Sequence, residues 1–219
     1  MLIFFDLDGP ILDVSEKYYR VYADILSLHG FNHLPKSEYW TAKRQKISDS
    51  EILARTEASS LIEEYQLKRK RIIESDKYLK YDIVQKNAVQ VLKKLSTKTP
   101  LVLVTLRSFH NQLSKELLNF GLTEYFHAIL TSGEDIKPRW KIKYNLINDY
   151  LRKNKLIDHL DNIMIGDTET DILAGKHLGM KTIGVSFGIR NRNLLLSLEP
   201  DLLFDTPSEL SSYLKGTYV

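Results

Sequence analysis

The chain has 219 residues, of which 43% are hydrophobic and 27% charged, so it can bury a substantial core. It contains no cysteine, which excludes disulfide bonds, thiolate metal sites and thiol nucleophiles. Its 31 basic and 28 acidic residues give a net charge of +3, too balanced to indicate a polyanionic partner.

The first predicted element is a buried strand over residues 2–5, LIFF, which runs into Asp6 and Asp8. In an extended chain, residues i and i+2 point to the same side, so these two carboxylates share one small volume. A turn over Asp8-Gly9-Pro10 would explain Asp8, but it gives no reason for Asp6 to follow an apolar run.

Residues 14–85 predict a small helical lobe without a convincing strand. The helix-like segments are VSEKYYRVYADILSLHG, SDSEILART and SLIEEYQLKRKRIIE. The basic run Lys68–Arg71 is flanked by acidic residues on the third segment, which favours a solvated helix face over nucleic-acid binding. We therefore expect no nucleic-acid partner.

From about residue 100 onward, short apolar runs alternate with helical patterns. The runs PLVLVTL, AILTS, NIMIGD, TIGVSFG and DLLF predict buried strands, and NQLSKELLNFG, KIKYNLINDYLRKN, ETDILAGKHLG and PSELSSYL predict helices. The alternation predicts a doubly wound parallel α/β sheet. The predicted domains are an α/β core over 1–13 and 86–219 and a helical domain over 14–85.

The apolar runs also limit where the protein is found. No run approaches the about 18 to 20 apolar residues of a membrane span, and the apolar start lacks the basic prelude of a secretory signal. We expect a cytoplasmic protein that does not bind membranes.

Acidic side chains follow several of the predicted strands, at the sheet edge where open α/β sheets bind ligands. Asp6 and Asp8 follow the first strand, Thr105 ends the second apolar run, and Asp167 and Asp171 follow the fourth. Carboxylates clustered without Cys or His favour a hard cation such as Mg²⁺, which suits Asp6 and Asp167.

This edge has the groups that phosphoryl transfer needs. One carboxylate can attack phosphorus, and a second can protonate the leaving oxygen and later deprotonate water. A threonine hydroxyl and the amides that open the next helix can hold phosphoryl oxygens. A lysine should balance the concentrated negative charge.

The motifs resemble those of the haloacid dehalogenase superfamily, in its phosphatase branch. DLDGPILD is similar to the family's first motif, LVLVTL to the second and IGDTETD to the fourth, and the insertion after the first motif resembles the helical cap. The resemblance covers nearly the whole chain. It implies a Rossmann-like core, Mg²⁺ as cofactor and a small phosphorylated metabolite as substrate, as in phosphoglycolate phosphatases.

Carried over by position, the resemblance implies that Asp6 is the nucleophile and Asp8 the general acid/base. It also implies Mg²⁺ ligands from Asp6, the main-chain carbonyl of Asp8 and Asp167, with Asp171 either an outer ligand or an orienting residue. Thr105, with the Leu106 amide, would bind phosphate.

Two assignments are less constrained by the motifs: the role of Arg107 and the identity of the active-site lysine. Arg107 lies near the phosphate by position, but it could equally point to solvent. The active-site lysine is ambiguous between Lys137, Lys141 and Lys143. The resemblance favours Lys143, because in one variant of the family the lysine starts the helix before the fourth motif and precedes an apolar residue by four positions, as Lys143 precedes Ile147.

The segment AKRQKIS in the helical lobe places Lys43, Arg44 and Lys46 close together. These side chains could clamp an anionic substrate, or they could form a solvated basic turn. The first alternative would make the lobe the part of the protein that selects the substrate.

The leading hypothesis is a phosphatase acting on a small phosphate monoester, and the oligomeric state, monomer or homodimer, stays open. A phosphosugar mutase similar to β-phosphoglucomutase is the main alternative. In that branch the cap carries a Gly and an Arg in a specificity loop, where this chain has Lys46 and Asp49. A non-catalytic binding protein on the same fold is disfavoured because the motif carboxylates are all present.

Overall fold

The structure is a computed structural model that describes residues 1–133, 136–156 and 161–219. The chain divides into two compact units, one of Met1–Leu12 with Val84–Val219 and one of Asp13–Ile83. We call them the α/β unit and the helical unit. No helix in the described residues is long and apolar enough to cross a membrane.

The strands and helices follow one another along the chain in the order that the sequence pattern predicts for an α/β protein. The strands are β1 (Ile3–Phe5), β2 (Leu12–Asp13), β3 (Ile83–Val84), β4 (Leu101–Thr105), β5 (Ala128–Thr131), β6 (Ile163–Gly166), β7 (Lys181–Val185) and β8 (Leu202–Phe204). The helices are α1 (Ser15–Leu28), α2 (Lys36–Arg44), α3 (Asp49–Ala54), α4 (Ile62–Ile72), α5 (Asp76–Leu79), α6 (Ala88–Ser96), α7 (His110–Asn119), α8 (Trp140–Lys153), α9 (Glu169–His177), α10 (Arg192–Leu196) and α11 (Pro207–Tyr218).

The α/β unit is built on a six-stranded sheet in the order β5-β4-β1-β6-β7-β8. Every pairing between these strands is parallel. The prediction of a doubly wound parallel sheet is confirmed. Because the chain leaves β1 toward one edge and returns to β6 on its other side, the ends of β4, β1 and β6 lie at the topological switch point.

The centre of the sheet is apolar on both faces, as parallel strands require. All residues of β1, β4 and β6 are buried. Ile147 and Leu151 of α8 pack with Phe4 and Val102 in one core cluster. Lys143 lies one turn before Ile147 and is also buried, so the packing of α8 on the sheet carries a cation into the interior.

The helical unit has its own core, made from α1 to α5. Tyr22 and Tyr39 stack at its centre, with ring centroids 4.4 Å apart. The predicted segments in this region correspond to α1, α3 and α4, whereas α2 and α5 were not predicted. Near its two chain ends the unit contains a buried ion pair, in which Lys17 Nζ lies 2.6 Å from Asp82 Oδ2.

Candidate active site

Asp6 begins the site because it directly follows the central strand. Its backbone N–H continues the sheet by donating to the Ile165 carbonyl at 2.9 Å. Its carboxylate is buried, and Oδ1 accepts hydrogen bonds from the Leu7 N–H at 2.8 Å and from Lys143 Nζ at 2.8 Å. Both of these contacts go to one oxygen, which fixes the carboxylate.

Asp6, Asp167 and Asp171 form a cluster that could hold a metal ion. One carboxylate oxygen from each lies within 4.8 Å of the others, and all three residues are buried. Asp167 Oδ2 accepts a hydrogen bond from the Ile189 N–H at 2.5 Å, whereas its buried Oδ1 has no hydrogen-bond partner among the described residues. A buried carboxylate oxygen without a donor fits a cation, and an all-oxygen set fits Mg²⁺.

Lys143 is the cation within the described residues that contacts this cluster. It pairs with Asp6 and donates to Asp171 Oδ1, while the other Asp171 oxygen accepts from the Thr168 N–H at 3.0 Å and the Thr168 hydroxyl at 2.7 Å. Asp171 thus closes the capping box of α9 and anchors the lysine at once. Lys137 and Lys141, the other sequence candidates, are exposed.

The electrostatics of the cluster leave it short of positive charge. Burial, opposed by Lys143 and reinforced by Asp171 and Asp8, raises the pKa of Asp6 to about 7. Burial and the nearby Asp6 and Asp171 likewise hold the pKa of Asp167 well above its usual range. Burial lowers the pKa of Lys143, but Asp171 and Asp6 more than offset it, and the net shift is upward. Three carboxylates against one ammonium favour a divalent cation.

Two glycines make room for Asp167, and the sequence analysis singled out neither for this role. A Cβ atom on Gly9 or on Gly188 would lie 2.1 Å from Asp167 Oδ2. Gly9 also has a φ of +103°, which favours glycine. Its carbonyl accepts a hydrogen bond from Gln85 Nε2 at 3.1 Å. The backbone therefore closes around the carboxylate from two loops.

Replacing Gly188 with Ala is expected to push the Asp167 carboxylate out of place, because the new Cβ overlaps it. We expect at least about tenfold weaker Mg²⁺ binding, the effect typical of disturbing a residue that orients a metal ligand. Isothermal titration of Mg²⁺ measures this directly. The matched control is Gly216→Ala on α11, where an added Cβ meets nothing within 4 Å; equal Mg²⁺ affinity in the two variants would contradict the prediction.

The Asp8 carboxylate forms an ion pair with Arg107. Arg107 Nε and Nη2 donate to Asp8 Oδ1 at 3.0 and 2.5 Å, and Nη1 pairs with Glu116 Oε2. The Arg107 side chain is 4% exposed, so the alternative that it points to solvent does not hold. Glu116 on α7 was not singled out from the sequence, since an acidic residue in a helix carries no special signal.

Thr105 and Leu106 follow β4 at the same end of the sheet. Thr105 is buried, and its hydroxyl accepts the Arg107 N–H at 3.3 Å. Leu106 is half-buried. Thr105 is the last residue of β4, so its hydroxyl lies at the switch point of the sheet, where the second motif was expected.

Lys43, Arg44 and Lys46 belong to the helical unit. Lys43 Nζ lies 3.1 Å from Asp49 Oδ1, and the other Asp49 oxygen lies 3.3 Å from Arg69 Nη2. Arg44 is the last residue of α2, and Lys46 follows with a φ of 62°. The structure thus gives Lys43 a partner within its own unit.

A doubly wound parallel sheet that gathers a buried carboxylate cluster and a buried lysine at its switch point defines an α/β protein with a charged site at that edge. The model of the haloacid dehalogenase-like hydrolase family matches residues 3–185. The chain belongs to this family.

Relatives and solved structures agree with this membership. The chain is 26% identical over 219 residues to pyrophosphatase PpaX of Anoxybacillus flavithermus, with 98% of this chain and 97% of that protein covered. It is 30% identical over 131 residues to phosphoglycolate phosphatase of Vibrio vulnificus, which covers 53% of this chain and 56% of that protein. A haloacid dehalogenase-like family hydrolase of Streptococcus pneumoniae has the same fold, with a TM-score of 0.76, 21% identity and 97% of each chain covered.

Proposed function

We propose that the protein is a Mg²⁺-dependent phosphatase that hydrolyses a small phosphate monoester through an aspartyl-phosphate. The observation that carries the proposal is the buried Asp6 carboxylate, held through Oδ1 by Leu7 and Lys143 next to Asp167. Relatives named phosphatase and pyrophosphatase support the reaction class.

In the proposed reaction, a carboxylate oxygen of Asp6 attacks phosphorus and the bond to the leaving oxygen breaks. Asp8 gives its proton to that oxygen, then takes a proton from the water that hydrolyses the aspartyl-phosphate. The Thr105 hydroxyl and the Leu106 N–H are proposed to bind phosphoryl oxygens. Lys143 keeps Asp6 oriented and offsets negative charge that would otherwise repel the phosphate.

The carboxylates of Asp6 and Asp167 and the Asp8 carbonyl are the proposed Mg²⁺ ligands. The two oxygens of Asp171 already accept hydrogen bonds from Lys143 and Thr168, so this residue adds charge and orients its neighbours. When bound, Mg²⁺ would neutralise charge on the phosphoryl oxygens.

Phosphate release from a panel of phosphorylated metabolites, with Mg²⁺ and with EDTA, tests the proposal. The panel includes phosphoglycolate, sugar phosphates, nucleoside monophosphates and inorganic pyrophosphate. We expect release from at least one compound that stops in EDTA and returns with added Mg²⁺. Isomerisation of a sugar phosphate without phosphate release would instead favour the mutase, and no turnover of any compound would contradict an enzymatic role.

Mg²⁺ is expected to stabilise the protein more at pH 8 than at pH 5.5. With raised pKa values, Asp6 and Asp167 bind protons more tightly when folded. Without metal, the contribution of Asp6 to stability therefore falls as pH rises from about 4 to about 7, and that of Asp167 also falls with rising pH. Mg²⁺ takes the place of those protons, and a ligand of the folded state raises the Tm. Thermal melts with and without Mg²⁺ at both pH values measure the effect, and Asp167→Asn should remove it.

The helical unit is proposed to select the substrate through its basic segment. Lys43→Ala removes the ion pair with Asp49, so we expect its main effect on stability. Lys46→Ala should instead raise KM several-fold for the preferred anionic substrate while sparing p-nitrophenyl phosphate. Steady-state kinetics across the same panel check this prediction. Unchanged KM values for Lys46→Ala would contradict the proposal that this segment binds the substrate.

A further inference from the structure

Arg107 contacts two carboxylates from different parts of the α/β unit. Two of its nitrogens converge on Asp8 Oδ1, at 3.0 and 2.5 Å, and a third pairs with Glu116. The side chains of Arg107 and Glu116 are 4% and 5% exposed, and that of Asp8 is 17% exposed. Ion pairs on both sides fix the plane of the guanidinium. The fixed guanidinium in turn orients the Asp8 carboxylate that accepts its hydrogen bonds.

The backbone of Arg107 is fixed as well. Its N–H donates to the Thr105 hydroxyl at 3.3 Å, and its carbonyl accepts a hydrogen bond from the Thr131 hydroxyl. Glu116 lies on α7 next to the buried Leu117, so the packing of that helix determines the position of the carboxylate. Arg107 is therefore supported at the main chain and at the tip of the side chain.

Asp8 needs such support because the chain turns directly after it. Gly9 takes a positive φ, and its N–H donates to the Leu12 carbonyl at 2.8 Å. A side chain at the start of a turn lacks the close packing of a strand interior. An ion pair with two donors to one oxygen replaces that packing.

We propose that Arg107 is a positioning residue that orients Asp8 for proton transfer, and that Glu116 holds Arg107 in the required place. The inference rests on the proposed phosphatase function, in which Asp8 is the general acid/base. It assigns Arg107 a role other than direct phosphate binding. The single positive charge of Arg107 faces two carboxylates, so the three groups together do not present the net positive charge that a phosphate dianion would require.

A double-mutant cycle with Arg107→Met and Asp8→Asn tests the proposal. We expect Arg107→Met to lower kcat on an alkyl phosphate by about 10- to 100-fold, part of the about 10²- to 10⁴-fold contribution of a general acid/base. KM should stay within about twofold, and the loss on p-nitrophenyl phosphate should be smaller because that leaving group needs less protonation. The double variant should be no slower than Asp8→Asn alone, because Arg107 acts through Asp8.

The control is Arg192→Met, which removes an exposed arginine–aspartate pair with Asp205 in the same unit and should leave the kinetics unchanged. Glu116→Gln, which keeps the shape of the side chain, should give a smaller loss with the same dependence on the leaving group. If Arg107→Met does not fold, the same kinetic comparison is made with Glu116→Gln and Arg107→Lys.

Two results would overturn the inference while leaving the phosphatase function in place. A large rise in KM, with losses that multiply in the double variant, would make Arg107 a phosphate ligand. Equal losses of kcat on the alkyl phosphate and on p-nitrophenyl phosphate, together with a lower Tm, would show that Arg107 forms a purely structural ion pair. A wild-type enzyme that releases no phosphate from any ester would contradict the proposed function, and the inference with it.

Discussion

Asp6→Asn is expected to abolish turnover while leaving the fold intact. The amide is nearly isosteric with the carboxylate, but it is a poor nucleophile and cannot form the aspartyl-phosphate. We expect phosphate release to fall by on the order of 10⁴-fold or more, as for removal of other covalent nucleophiles. Steady-state phosphate release measures the loss, and circular dichroism with thermal melting checks the fold.

Asp149→Asn provides a matched control, because it makes the same chemical change at an exposed position on α8. It should keep wild-type activity. Asp6→Asn should also fail to form the ³²P-labelled aspartyl-phosphate that acid quenching traps when the wild-type protein turns over a ³²P-phosphate ester. Phosphate release at a wild-type rate by folded Asp6→Asn protein would falsify the assignment of the nucleophile.

Lys143→Met is expected to be nearly as damaging. Methionine fills the space of the lysine stem but removes the charge that Asp6 and Asp171 share. Loss of one group that stabilises developing charge typically costs about 10²- to 10³-fold in kcat. Without the ammonium group of Lys143, the buried carboxylates also lose their counter-charge, so the Tm should fall. Kinetics and melts in Mg²⁺ report both effects.

Lys141→Met tests whether the effect belongs to this particular lysine. Lys141 lies on the same helix two residues earlier and is exposed, with its Nζ 5.9 Å from the centre of the Trp140 ring. We expect near-wild-type activity and Tm. The reverse pattern, with Lys141→Met inactive and Lys143→Met active, would move the active-site role to Lys141.

The fold could be predicted from the sequence because each central strand is a short apolar run with a polar stop. The predicted runs at 100–106 and 162–167 correspond to β4 and β6, with boundaries that differ by one residue at each end. Among the helices that were missed are α6 and α2. The first follows Asn87, which has a left-handed φ of 66° and no capping side-chain hydrogen bond, and the second is mostly polar. The buried residues of α6, Val91, Leu92 and Leu95, are at helical spacing, so this helix was missed for lack of a start signal, whereas α2 buries only Tyr39 and Ala42 and has no strong local pattern.

The site was predictable where its residues belong to contiguous motifs or, as for Lys143, to a helix pattern close to one. Asp6, Asp8 and Asp167 follow predicted strands and Asp171 lies in the first turn of the next helix, so topology places all four near one edge. Gly188 and Glu116 could not be found in this way. Their roles depend on contacts between loops or helices distant in sequence, and the residue types themselves are common in turns and on helix surfaces.

The position of β1 in the sheet has a consequence for synthesis of the chain. It is synthesised before both of its partner strands: it pairs on one side with β4, where Ile3 is opposite Leu101, and on the other with β6, where Ile3 is opposite Ile163. Such non-local pairing is slow, since a long loop must close before any contact forms. During translation the apolar strand, with both aspartates, stays unpaired on one side until β4 is synthesised and on the other until β6 is synthesised. Nascent chains that stop before residue 163 therefore expose this apolar strand and lack the sheet edge at which the carboxylates meet.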